Sequence, residues 1–166
     1  MRIETTKRNL YKWEELNDKA KENAVDELYD INIDFEWWYH FCEDAENIGL
    51  KITEWDLGRS NYCHGAFVLS AEEVAANIFR DHGINCETYK TATDFMKKHD
   101  PLFAAYLDTE DGEDELLELE QDFLLSLCED YLVILSKEYE YRISDEAIIE
   151  TIKANEYEFT GAGKLS

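Results

Sequence analysis

Residues 108–136 carry eleven Asp or Glu side chains and no Lys or Arg, yet apolar residues recur through the same stretch at Leu116, Leu119, Phe123, Leu127 and Ile134. Charges this dense cannot enter an apolar interior unpaired, so whatever the segment folds into must keep its acids in water. A helix reconciles both demands, because its 3.6-residue period gathers the apolar positions on one stripe and turns Asp114, Glu118, Asp122 and Glu129 to the opposite side. The spacing predicts a helix over residues 114–142, entered from a polar, glycine-containing loop at 108–113. Leu125, Leu132 and Val133 interrupt the acidic side, which predicts that the second half is covered all round and the first half solvated.

The whole chain has 39 acids against 16 Lys or Arg, a formal charge of −23. High charge with few hydrophobes would mean disorder, but 45% of the residues are apolar and 13% aromatic, enough to build a core. The length, 166 residues, fits one domain over 1–166. No apolar run approaches the ~20 residues a membrane span needs, and the opening MRIETTKRNL is not followed by the apolar stretch of a secretory signal, so a cytoplasmic location is expected. In that reducing setting Cys42, Cys63, Cys86 and Cys128, dispersed without a tight framework, are expected as free thiols.

Other elements follow from local signals. Residues 7–13 read as a short strand. Asn17 is placed to cap a helix running to about Ile31, with Ala20, Ala24 and Leu28 on its inner stripe. A second helix is expected over 34–47, gathering Trp37, Trp38, Phe41 and Ala45 and stopped by Gly49. Alternation over 51–57 and 62–69, around a turn at 58–61, predicts a β-hairpin. Ser70 with Glu73 forms a capping box for a helix with Val74, Ile78 and Phe79 inside. Residues 91–99 read as a shorter helix stopped by Pro101. Ser144 caps a last helix to about Ala154, and 156–160 read as an edge strand. The expected class is α+β, a small antiparallel sheet with several helices packed on one face.

Chemistry-bearing motifs are sparse. In DTEDGEDELLELEQD a calcium loop with Gly112 at its sixth position would put Leu107, which offers no side-chain oxygen, at the first ligand. Cys63 beside His64, and His82 near Cys86, lack the spacing of a zinc site. His40, His64, His82 and His99 could each meet a thiol, but no elbow motif or orienting third group marks a nucleophile. Neither a P-loop nor a dinucleotide fingerprint is present. Trp13, Trp37, Trp38 and Trp55 could stack bases, but such platforms come with a basic groove. The expectation is therefore no enzyme, no metal and no cofactor.

The charge itself is the strongest functional signal. Solubility needs a net charge of only ~2 to 8 for a small domain, and the excess repels nucleic acid and anionic membrane alike. The favoured partner is a basic protein. Carboxylates four apart on a helix stand about 6 Å apart, a spacing comparable to that of backbone phosphates, so a rigid acidic face can occupy a cationic nucleic-acid groove. The residues expected to do so are Asp108, Glu110, Asp111, Glu113, Asp114, Glu115, Glu118 and Asp122.

Four segments carry a resemblance: FEWWYHFCEDAENIGLKI at 35–52, the hairpin YCHGAF, CETYKTATDF, and KEYEYRISDEAIIETIKANEYEF at 137–159. Together they resemble a group of small acidic proteins encoded by phages, prophages and plasmids, some of them labelled antitoxin-like. The resemblance supplies no catalytic residues and implies a mobile-element setting. In size and charge the chain is also similar to nucleic-acid-mimicking antirestriction and anti-CRISPR proteins, with no motif shared. What this implies is an inhibitor of a CRISPR or restriction nuclease that occupies its nucleic-acid site; the alternative is an antitoxin-like protein that neutralises a basic toxin. Homodimerisation is left open by the sequence.

Overall fold

The structure is a computed structural model that describes residues 8–108 and 112–166, with the backbone alone at Leu107 and Asp108. Its elements are β1 (Tyr11–Lys12), a 3-10 turn (Trp13–Glu15), α1 (Asp18–Glu27), α2 (Tyr39–Ile48), β2 (Leu50–Asp56), β3 (Tyr62–Phe67), α3 (Ala71–Asp81), α4 (Glu87–Asp108), α5 (Glu113–Arg142), α6 (Asp145–Ala154) and β4 (Glu158–Phe159). The class is α+β, as the sequence indicates. The strands form two separate antiparallel ribbons, β1 with β4 and β2 with β3, rather than one sheet. Two compact units organise these elements: residues 8–37 with 138–166, and Trp38–Lys137.

In the first unit, Asn17 caps α1 by accepting from the Ala20 N–H at 2.9 Å, and Ser144 caps α6 by accepting from the Ala147 N–H at 3.3 Å. Each helix then buries one stripe. Ala20, Ala24 and Leu28 meet Ile148, Ile152, Trp13 and Phe159 in a single cluster. α1 ends at Glu27, one turn before the expected Ile31, with Leu28 as its C-cap. Gly163 closes the unit with a φ of +82°, and a Cβ there would collide with the Ala20 carbonyl oxygen.

The second unit is built around the β2–β3 hairpin, whose register pairs Leu50 with Phe67 and Asp56 with Tyr62, with an irregularity between Ile52 and Glu54. Gly65 is required there: a Cβ would lie 2.9 Å from the Lys51 carbonyl oxygen and 3.3 Å from the Cys128 sulfur. Trp37 and Trp38 precede α2 rather than riding on it, and Gly49 at φ +96° ends that helix. The Ser70 and Glu73 capping box forms in both directions, at 3.2 and 3.0 Å. Val74 and Ile78 are buried, whereas Phe79 lies at the surface and edges onto Tyr89 at 4.9 Å.

Pro101 does not stop α4, contrary to expectation. A proline inside a helix forfeits one N–H bond and costs about 3 kcal/mol, but packing on both sides holds this helix. Phe95 stacks on Phe123 at 4.2 Å, and beyond the proline Phe103 stacks on the buried His99 at 5.5 Å. α5 buries Leu116, Phe123, Leu127, Cys128, Tyr131 and Leu135. Its second half is not covered all round, since Leu125 is 52% and Val133 46% exposed. No helix among the described residues is long and apolar enough to cross a membrane.

Gly163→Ala is expected to destabilise the first unit by roughly 2 kcal/mol, because it adds a steric clash to a left-handed backbone. Gly161→Ala is the internal control, since its Cβ would meet only Tyr11 at an ordinary 3.5 Å. Urea denaturation of the two variants should separate them; equal midpoints would contradict the clash.

Candidate functional site: the acidic face of α5

Of the eight residues expected to form the site, the structure places five on one helix. Glu113, Asp114 and Glu115 occupy the first turn of α5, where the helix dipole favours negative charge, and Glu118 and Asp122 follow on later turns. All five are exposed. Asp108 ends α4, with its side chain outside the described residues; Glu110 and Asp111 lie outside them altogether.

Asp114, Glu118 and Asp122 stand four residues apart, so they follow one ridge of α5 at intervals of about 6 Å. None of the five carboxylates forms an ion pair among the described residues, whose salt bridges lie elsewhere. Lys98 of α4 lines the same groove as Asp122 without bonding to it; this groove has a volume of about 170 Å³ and is floored by Phe95, Leu119 and Phe123. The row therefore faces water with no ion pair among the described residues.

A second row with the same spacing runs along α1, at Asp18, Glu22 and Asp26, beside a groove of about 450 Å³. That row is partly neutralised. Lys19 reaches Glu22 at 3.0 Å, and Lys21 stands over the Trp13 ring at 5.7 Å on the same groove. Of the two rows, only that of α5 is without an ion pair among the described residues.

Three aliphatic side chains share the α5 surface: Leu117, which the periodic stripe leaves out, and Leu125 and Val133, which are expected to be covered; they are 56%, 52% and 46% exposed. Their eight-residue spacing was the available signal, since positions four and eight apart fall on one ridge.

A buried polar network elsewhere in the second unit has the residue types of an acid–base site. His82 Nδ1 lies 2.7 Å from the Thr88 hydroxyl, and the Tyr131 hydroxyl donates to Asp44 at 2.7 Å. His82 Nε2 comes within 3.4 Å of the same carboxylate, within ion-pair range but out of hydrogen-bond alignment. The His82 contact, with Tyr131 assisting, holds the Asp44 carboxyl below its ordinary range against the opposing effect of burial, and burial with Asp44 pushes the Tyr131 phenol up. Thr88 is 2% exposed, so no substrate reaches its hydroxyl. The network joins α2, the end of α3, the start of α4 and α5, and its Asp44 side chain is 52% exposed.

Two of the four thiols are held in the protonated form. Cys42 is raised by burial, then by Glu46, and Cys63 is raised by its contact with Cys128 and by burial, so both stay protonated at neutral pH. All four cysteines are free. Among the described residues no group of three or more His, Cys, Asp or Glu side chains is placed to hold a metal ion.

Two carboxyls at the margin of α5 are held up. Burial first, then Glu72, raises Glu120 against the nearby His99; burial raises Asp130 against the hydrogen bond from Thr91 at 2.7 Å. An acid with a raised folded-state pKa disfavours folding at neutral pH, and that cost disappears as pH falls through the folded value. Glu120→Gln is thus expected to raise the thermal midpoint at pH 7 and to remove the stability gained as pH falls from 7 toward the unfolded glutamate value of about 4.3. Asp44 has the opposite sign: its contribution is complete above its unfolded value of about 3.9 and is lost below it, so Asp44→Asn should lower the midpoint at pH 7. Thermal melts across this range test both; a lowered midpoint for Glu120→Gln would contradict the assignment. No family model, no curated protein and no solved structure matches the chain.

Proposed function

We propose that this protein is a non-enzymatic inhibitor from a phage or mobile element, acting in the host cytoplasm by placing the acidic face of α5 in the basic nucleic-acid-binding site of a defence nuclease or CRISPR complex. One observation carries the reading: carboxylates at a fixed helical interval, exposed and without cationic partners among the described residues, on a chain of formal charge −23. A partner built to grip phosphates presents Lys and Arg at intervals such a row can meet. Direct binding of nucleic acid is disfavoured by like charge, as is an anionic membrane surface.

Neutralisation of a basic toxin is the second reading. In its favour, Phe35 lies between Asp34 and Glu36 and is 58% exposed although the Arg142 guanidinium stands 5.5 Å from its ring centroid, an aromatic side chain of the kind found in protein interfaces.

Reversal of Glu115, Glu118 and Asp122 to Lys tests the first reading. Association with the target is expected to slow by about tenfold or more at low salt, and inhibition in a restriction or CRISPR interference assay should be lost while the helical circular dichroism is retained. Unaltered inhibition by a folded variant would remove this face from the mechanism. Rescue of cells from a linked toxin, with no effect on nuclease activity, would favour the second reading.

A further inference from the structure

The α5 surface is more than a row of charges. Leu117, Gln121, Leu125, Glu129 and Val133 stand four residues apart and are all exposed, so they form a continuous ridge extending about 24 Å along the helix. Asp114, Glu118, Asp122 and Ser126 form the neighbouring exposed ridge. The first alternates aliphatic and polar side chains, and the second is mainly carboxylate. Between two such ridges lies a groove of the type that receives the side-chain ridge of another helix.

Resting on the function proposed above, we propose that these paired ridges dock one helix of a basic protein partner. That helix would place aliphatic side chains four apart against Leu117, Leu125 and Val133, and Lys or Arg along the flank that meets Asp114, Glu118 and Asp122. Charge decides the occupant. A second copy of this chain would bring another acidic molecule, formally −23, against the face, and nucleic acid or an anionic membrane would bring phosphates. A cationic protein helix satisfies both ridges together. What distinguishes Leu117, Leu125 and Val133 is their alignment on one ridge beside the carboxylates, the arrangement that a helix-in-groove interface uses as anchors.

The two ridges make separable contributions. Carboxylates set the association rate and the salt dependence, and the aliphatic side chains set the part of the affinity that salt does not weaken. The probes are two fluorescent peptides of about 18 residues, or five helical turns: an amphipathic Leu/Lys helix with leucines four apart, and oligolysine of the same length. Despite its fewer charges, the Leu/Lys helix is expected to bind the unaltered protein about tenfold more tightly at about 0.15 M salt. Replacing Leu117, Leu125 and Val133 together by Gln, which keeps helix propensity, should abolish that preference and leave oligolysine binding in place. Asp114→Asn, Glu118→Gln and Asp122→Asn together should weaken both peptides and flatten the salt dependence, with the preference retained.

Tighter binding of oligolysine to the unaltered protein, or a leucine preference that survives the triple Gln replacement, would overturn the docking of a helix on this face. Unchanged oligolysine binding by the neutralised variant would instead count against the function proposed above, and the leucine preference would still decide the present inference. Circular dichroism of both variants establishes that α5 is intact in each comparison.

Discussion

Like charges four apart on a helix repel by about 0.2 to 0.5 kcal/mol per pair, and α5 sustains two such pairs, Asp114 with Glu118 and Glu118 with Asp122, without a basic residue to relieve them among residues 113–136. What holds it is the other side of the same helix. Phe123, Leu127 and Tyr131 are buried against the hairpin unit, with Phe123 stacked on Phe95 and Tyr131 bonded to Asp44. Burial of one large apolar side chain is worth about 1.5 to 3 kcal/mol, so a few of them outweigh the repulsion along the ridge. The candidate interface depends on that imbalance, because a helix held only by propensity would not keep its charges in a fixed array.

The two acidic rows show how a chain rich in carboxylates can assign them different uses. On α1 the charges sit among the chain's own lysines, over a Trp13 ring, and are partly cancelled. On α5 they are not. Isolated surface ion pairs add little stability, so the lysines of α1 matter less for holding the fold than for the field they remove. An approaching cation meets the full attraction only where that removal has not occurred.

Much of the fold was legible because its signals are local. The caps at Asn17, Ser70 and Ser144 each need one oxygen and one N–H three residues on, and the stop at Gly49 needs only a missing Cβ; such features require no knowledge of distant contacts. What escaped local reading was decided by packing. Phe95 of α4 stacks on Phe123 of α5, and no pattern within residues 91–101 contains that contact. Trp37 and Trp38 have helical spacing but stand before α2, with Trp38 edging onto Trp55 of the hairpin at 6.1 Å. Of the site, the carboxylates on α5 could be listed from sequence, since acids seldom go inside. Leu125 and Val133 were assigned to the interior because hydrophobicity alone cannot tell a core position from an anchor awaiting a partner.

Gly65 sits behind this surface rather than on it. With only a hydrogen in place of a side chain, it lets the sulfur of Cys128 and the carbonyl of Lys51 close in, and so sets how deeply α5 seats on the hairpin. A single methyl group there would press first on the hairpin's own Lys51 carbonyl at 2.9 Å and then on the Cys128 sulfur of α5 at 3.3 Å, while leaving every outward-facing residue chemically unchanged. The packing behind the candidate surface therefore depends on a position that no inspection of exposed residues would single out.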